Sequence, residues 1–226
     1  MTKTQKLIAG ALLTVAAVLG LREVSHTEVV LSSLVTPEAG LEVTQRILNL
    51  PRYTSFINNA TLTINSPGGV VSVLEFIKEV IKDKKVYLTT KVPVFAASAA
   101  ADLFLMGETR LMGADATVII HEARMKVGDS YVTYSDLKSI LDTGLPAANS
   151  KLSPKVLVII KTLLPKKVLT ALVEKLEKSH EGHIEFLMRR LNMPRQEVLT
   201  KLLIPNIDVE LNLTQALELG VATGVL

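Results

Sequence analysis

Three short stretches hold residue types that could perform nucleophilic chemistry at a carbonyl. Ser98 lies in AASAAA, flanked only by tiny side chains, a setting that lets a bound chain approach the backbone closely. A serine hydroxyl is a weak nucleophile until a neighbouring base takes its proton. His121, directly after the apolar run TVII, is the one histidine of four placed at the end of a strand-like segment. The third stretch, Asn65-Ser66-Pro67-Gly68-Gly69, also follows a strand-like run. Its paired glycines let the chain turn tightly and present N–H groups to a developing oxyanion. Each stretch has a plain structural explanation as well: Ser98 as a helix N-cap, His121 as a core histidine bonded to backbone, and the glycines as an ordinary β–α turn.

Chemistry of this kind needs elements that hold the three together. EVVLSS, from Glu28, reads as a strand, and Thr36-Pro37-Glu38 as an N-cap with proline at the first helical position of a helix reaching Leu50. Pro51 to Asn59 reads as a polar connection and ATLTIN as a strand ending at Asn65. A helix over Val70 to Lys82 places Val73, Leu74, Ile77 and Val80 on one face. Lys85 to Thr89 and Val92 to Ala96 read as strands, Ser98 to Met106 as a buried helix, and Ala116 to Ile120 as a strand running into His121. Strands alternating with helices predict βαβ units around a mostly parallel sheet covered on both faces. After Asp129 the pattern turns helical. Tyr131 to Leu141 reads as a strand tip and helix; Leu152 to Leu176 is apolar but carries five lysines, and Pro165 divides it into two helices. Further helices are expected over Leu176 to Leu191 and Pro194 to Leu203, then a short helix stopped by Gly220 and a final strand.

Composition excludes several classes. With 48% hydrophobic and 21% charged residues the 226-residue chain is not disordered. A net charge of +3, 4% aromatics and no tryptophan argue against nucleic acid as a partner. The absence of cysteine removes thiol nucleophiles, thiolate metal sites and disulfides. His180 and His183 lie three apart on a helix without an evident third ligand, and read as a solvated face; no metal or cofactor is expected. Lys3 and Lys6 precede the apolar run Leu7 to Leu21, about 22 Å long as a helix against a hydrocarbon core of roughly 30 Å. It reads as a signal anchor, a cleaved signal or a buried helix, so localisation stays open between membrane-associated and cytoplasmic. The domain plan is an N-terminal segment over 1–26 and one domain over 27–226, with a helical insertion at about 145–175.

Taken together, TLTINSPGG, VPVFAASAAADLFLMG and ATVIIHEA resemble the proteolytic subunit of Clp protease, over roughly Glu28 to Gly128 and again from Leu176 to Val225. The resemblance implies a ClpP/crotonase-like α/β fold of repeated β-β-α units and a serine endopeptidase. In this reading Ser98 is the nucleophile and His121 the general base. Asp208, reached by counting back from Gly220, orients the imidazole, and the N–H groups of Gly68 or Gly69 and of Ala99 hold the oxyanion. It also implies peptide or unfolded-protein substrates, a homo-oligomer, and a separate ATPase partner, since the chain has no phosphate-binding loop of its own. Three features depart from the family pattern: Ala100 replaces a glycine, Glu122-Ala123 follow the histidine, and the stretch from His121 to Asp208 is longer. The extra material falls where the family builds the handle joining two rings, so a double ring is only an analogy. The insertion could pack on this domain or lie on a membrane. Signal peptide peptidase A is similar in fold, but its relatives use a Ser–Lys dyad, and His121 favours the triad. A catalytically silent scaffold or ring subunit and a crotonase-type acyl-CoA enzyme remain the alternatives.

Overall fold

The computed structural model describes residues 23–50, 56–128 and 130–226. The apolar run at 7–21 lies outside the described residues. Strand β1 (Glu23–Leu31) leads into helix α1 (Pro37–Leu48), whose start is set by Thr36: its side chain accepts from the N–H of Ala39 at 3.2 Å, and Pro37 follows at the first helical position. Strand β2 (Phe56–Ile64) and helix α2 (Ser72–Lys84) come next; α2 buries Val73, Leu74, Ile77 and Val80 as its periodicity predicts. Then come β3 (Val86–Val92), β4 (Phe95–Ala97), α3 (Ala99–Leu105), β5 (Thr109–Met112), β6 (Thr117–Ile120), and the hairpin β7 (Arg124–Val127) and β8 (Ser130–Thr133). The helical part follows with α4 (Tyr134–Thr143), α5 (Pro154–Leu163), α6 (Lys166–Leu191) and α7 (Arg195–Lys201), and the chain closes with β9 (Val209–Leu211), α8 (Leu213–Glu218) and β10 (Gly224–Val225).

The main sheet is parallel throughout, in the order β1-β2-β3-β5-β10. Leu62, Ile64, Leu88, Val92 and Met112 from its strands are fully buried with Phe104 and Leu105 of α3. A second sheet has the order β4-β6-β9, with β4 and β6 parallel and β9 antiparallel. This mixed α/β architecture with a mostly parallel sheet is the one the sequence pattern predicts.

The structure corrects several boundaries. β1 begins ahead of the EVVLSS run, and β2 begins at Phe56, inside the segment read as a polar connection. Asn58 tolerates its place in β2 because its side chain donates to the Lys84 carbonyl at 2.9 Å. The interior strand β5 has no counterpart in the sequence reading. It contains Arg110, which is buried and donates to the carbonyls of Gly107, Gly220 and Val221 at 2.8 Å each, so a charged residue in a strand interior is fully used. Pro165 does separate α5 from α6, but the expected break near Leu176 is absent: α6 is one helix of 26 residues. Its apolar positions pack into two separate clusters. Leu169 and Val173 join Val132, Leu137, Ile140, Val156 and Ile160 in a satellite core under the insertion, while Ile184 and Leu187 join the main core. Among the described residues no helix is long and apolar enough to cross a membrane.

Candidate active site

The three-stranded sheet brings the sequence-predicted residues to one edge. Ser98 directly follows β4, and its N–H donates to the Ile119 carbonyl of β6 at 3.0 Å. His121 directly follows β6. Asp208 directly precedes β9, and the antiparallel register pairs Ile120 with Val209, so the two chains meet where His121 leaves one strand and Asp208 enters the other. On the far side of β4 the glycine turn is tied in by backbone: Ser66 N–H donates to the Phe95 carbonyl, and Ala97 N–H to the Ser66 carbonyl, both at 3.0 Å.

Ser98 occupies an unusual conformation, with φ 56° and ψ −130°. A side-chain-bearing residue avoids positive φ, and holding one there costs on the order of 1–3 kcal/mol. Its side chain makes no capping hydrogen bond to α3, so the N-cap explanation fails. Gly68 lies directly against this turn. At Gly68, φ is 94°, and a Cβ there would stand 2.7 Å from Ser98 Cβ and 3.1 Å from the Ala99 nitrogen, leaving glycine as the residue that fits. The N–H of Gly68 donates to Ser66 Oγ at 3.2 Å, and the Gly68 carbonyl accepts from Val35 N–H at 2.9 Å.

His121 is 8% exposed. Its Nδ1 lies 2.7 Å from the Glu122 carbonyl. A carbonyl only accepts, so Nδ1 carries the proton and the neutral ring keeps its lone pair on Nε2. Nε2 is buried and has no hydrogen-bond partner. Burial pushes the ring below the usual histidine range, outweighing the bond to the Glu122 carbonyl and the nearby carboxylate of Asp208. Asp208 itself makes no hydrogen bond to His121. Its carboxylate accepts from Arg124 at 2.9 Å and Lys151 at 3.4 Å. Although partial burial raises it, Arg124, His121 and Lys151 hold the Asp208 carboxyl below the usual carboxylate range.

Behind this pair sits a buried polar network that the sequence reading did not find. Glu122 is 2% exposed and accepts from the N–H and hydroxyl of Ser135, at 3.3 and 2.7 Å, and from the N–H of Asn206 at 2.9 Å. Asn206 in turn accepts from the Thr133 hydroxyl at 2.9 Å and donates to Asp136 at 3.2 Å and to the Ala148 carbonyl at 3.0 Å. Glu122, the residue that departs from the family pattern, thereby anchors the loop carrying Asp208. The expectation of a solvated histidine pair is also overturned: His180 is buried and stacks on Tyr134 with 4.9 Å between ring centroids, and His183 lies 2.9 Å from Asp102. Helix packing on the main core causes this, and no local sequence signal marks it.

Two cavities meet at His121. One, of about 580 Å³, is lined by Gly69, Ser98, Ala99, Asp102, His121 and His183 among others; the second, of about 320 Å³, lies toward Asp208, Arg124 and Lys151. Among the described residues no cluster of three His, Asp or Glu side chains is placed to hold a metal.

The Clp protease family matches residues 19–140, more than half of the chain. The chain belongs to the Clp protease family. No curated protein matches it. The matched region spans the glycine turn, Ser98 and His121 and ends within α4, so the insertion, the long helix α6 and the Asp208 loop lie beyond it. Membership supports a peptidase-type activity on peptide substrates, in a family whose members usually form oligomers.

Proposed function

We propose that the chain is a serine endopeptidase in which Ser98 is the nucleophile and His121 the general base. The observation that carries this reading is Ser98 itself: a non-glycine residue held at positive φ, with its hydroxyl free of any cap, on the wall of a cavity that His121 also lines, the buried Nε2 of that histidine having no hydrogen-bond partner. A chain without catalysis would gain stability from glycine at this position, which argues against a silent scaffold.

In the proposed reaction His121 Nε2 takes the Ser98 proton as Oγ attacks the peptide carbonyl. The N–H groups of Ala99 and Gly69 stabilise the oxyanion, the Gly68 N–H being already given to Ser66 Oγ. His121 then protonates the leaving amine, and water hydrolyses the acyl-enzyme by the same path. The Glu122 carbonyl fixes the imidazole tautomer, the task an aspartate performs in a Ser–His–Asp triad. Asp208 acts as the third member through its charge, which favours the imidazolium formed during the step. The wider reading is a homo-oligomer acting on peptide or unfolded chains, served by a separate ATPase.

Labelling with a fluorophosphonate probe tests it. Strong labelling of the native chain is expected, abolished in Ser98→Ala and reduced at least 100-fold in His121→Ala. Absence of Ser98-dependent labelling, in both solution and detergent, overturns the proposal.

A further inference from the structure

We propose that His183 and Asp102 form a polar subsite that selects, at the residue acylating Ser98, a side chain ending in an amide or carboxylate. The inference rests on the Ser98 reading above and names the substrate class of that site. Asp102 lies one turn along α3 from the nucleophile, with its N–H donating to the Ser98 carbonyl at 3.1 Å. Four residues of helix advance roughly 6 Å, about the reach of a substrate side chain from its own carbonyl carbon. Leu74, Met106, Ile120 and Phe186 supply apolar parts of the same cavity wall.

His183 comes from α6 and closes onto Asp102, with Nε2 2.9 Å from Oδ1 and both side chains largely buried, 16% and 12% exposed. Although burial opposes it, the charge and hydrogen bond of Asp102 raise the His183 pKa above the usual histidine value, which favours the imidazolium. Both ring nitrogens then donate. Nε2–H is taken by Asp102, the one side-chain hydrogen bond of His183 among the described residues, and Nδ1 is not among the atoms sealed from solvent, so it is open to a ligand. A carboxamide or carboxylate oxygen completes the pair. An apolar side chain would desolvate that N–H without replacing its hydrogen bond. A donor that a bound ligand cuts off from water discriminates against ligands that lack the acceptor. Lys78, Arg124, Lys178 and Arg189 on the cavity lining are matched in number by Glu75, Asp102, Glu122 and Glu185, so the selection comes from hydrogen bonding rather than net charge.

The test uses the full chain carrying Ser98→Ala and measures Kd for matched product-like fluorescent peptides ending in glutamine, glutamate or leucine. The glutamine and glutamate peptides are expected to bind at least 10-fold more tightly than the leucine peptide. His183→Phe should abolish or invert that order, and His183→Gln, which keeps an N–H donor, should retain part of it. Equal affinities, preference for leucine, an order unchanged in His183→Phe, or no binding of any peptide overturns the inference. Fluorophosphonate labelling of the native chain judges the nucleophile separately. A labelled Ser98 without peptide discrimination sinks the subsite alone; discrimination with an unlabelled Ser98 sinks the nucleophile alone.

Discussion

At the scale of the residue, Ser98 trades stability for presentation. Positive φ strains serine and alanine alike but not glycine. Ser98→Gly is therefore expected to be more stable than Ser98→Ala by about 1–3 kcal/mol, read as a higher midpoint in denaturant. Equal midpoints would show that the turn carries no strain. His121 gives a second expectation. Burial lowers its pKa, so the ring stays neutral and competent through the neutral range. Labelling of Ser98 should be flat there and fall only below the ordinary histidine value of about 6.5 as the imidazolium forms. An acid limb centred above neutrality would contradict this. Ser98, His121 and Gly68 were legible because strand ends and glycine pairs leave a local trace. The conformation of Ser98 was not, because its neighbours there, Gly68 and the Ile119 carbonyl, are distant in sequence.

At the scale of the element, the candidate site is assembled from two strand ends and one strand start rather than from any single motif. β4 delivers Ser98, β6 delivers His121, and the antiparallel return of β9 delivers Asp208. The first two lie within a short span of sequence and were readable. The position of Asp208 could only be counted from the tail, because the contacts that place its loop are long-range: Asn206 N–H to Glu122, and Asn206 Nδ2 to Asp136. β5 was missed for a similar reason, since what makes Arg110 acceptable in a strand is carbonyls of the C-terminal tail. Glu122→Gln turns one acceptor oxygen toward its donors as an NH₂ group. It should cost about 2–4 kcal/mol and lower Ser98 labelling by loosening the His121 end of β6. A variant with native stability and native labelling would show that the network does not support the site.

At the scale of the whole molecule, the satellite core and the main core share few elements, and α6 is the principal one. Each buries its own apolar set, so the satellite should open on its own. Hydrogen exchange should show α5 and the first turns of α6 protected less than β2 and β3. Leu169→Ala, at a buried satellite position, should destabilise that unit by about 2–4 kcal/mol while leaving exchange in the main sheet unchanged. Uniform loss of protection across both would mean a single cooperative unit. The same helix has a mechanical side. At about 1.5 Å per residue its 26 residues make a rod of roughly 39 Å, clamped in the satellite at Leu169 and Val173 and in the main core at Ile184 and Leu187. The wall residues Ser179, Gly182 and His183 lie between the clamps. A load applied to the α5–α6 hairpin therefore reaches the cavity through a stiff arm, and a tilt at the far end becomes a change in the width of the cleft beside Ser98.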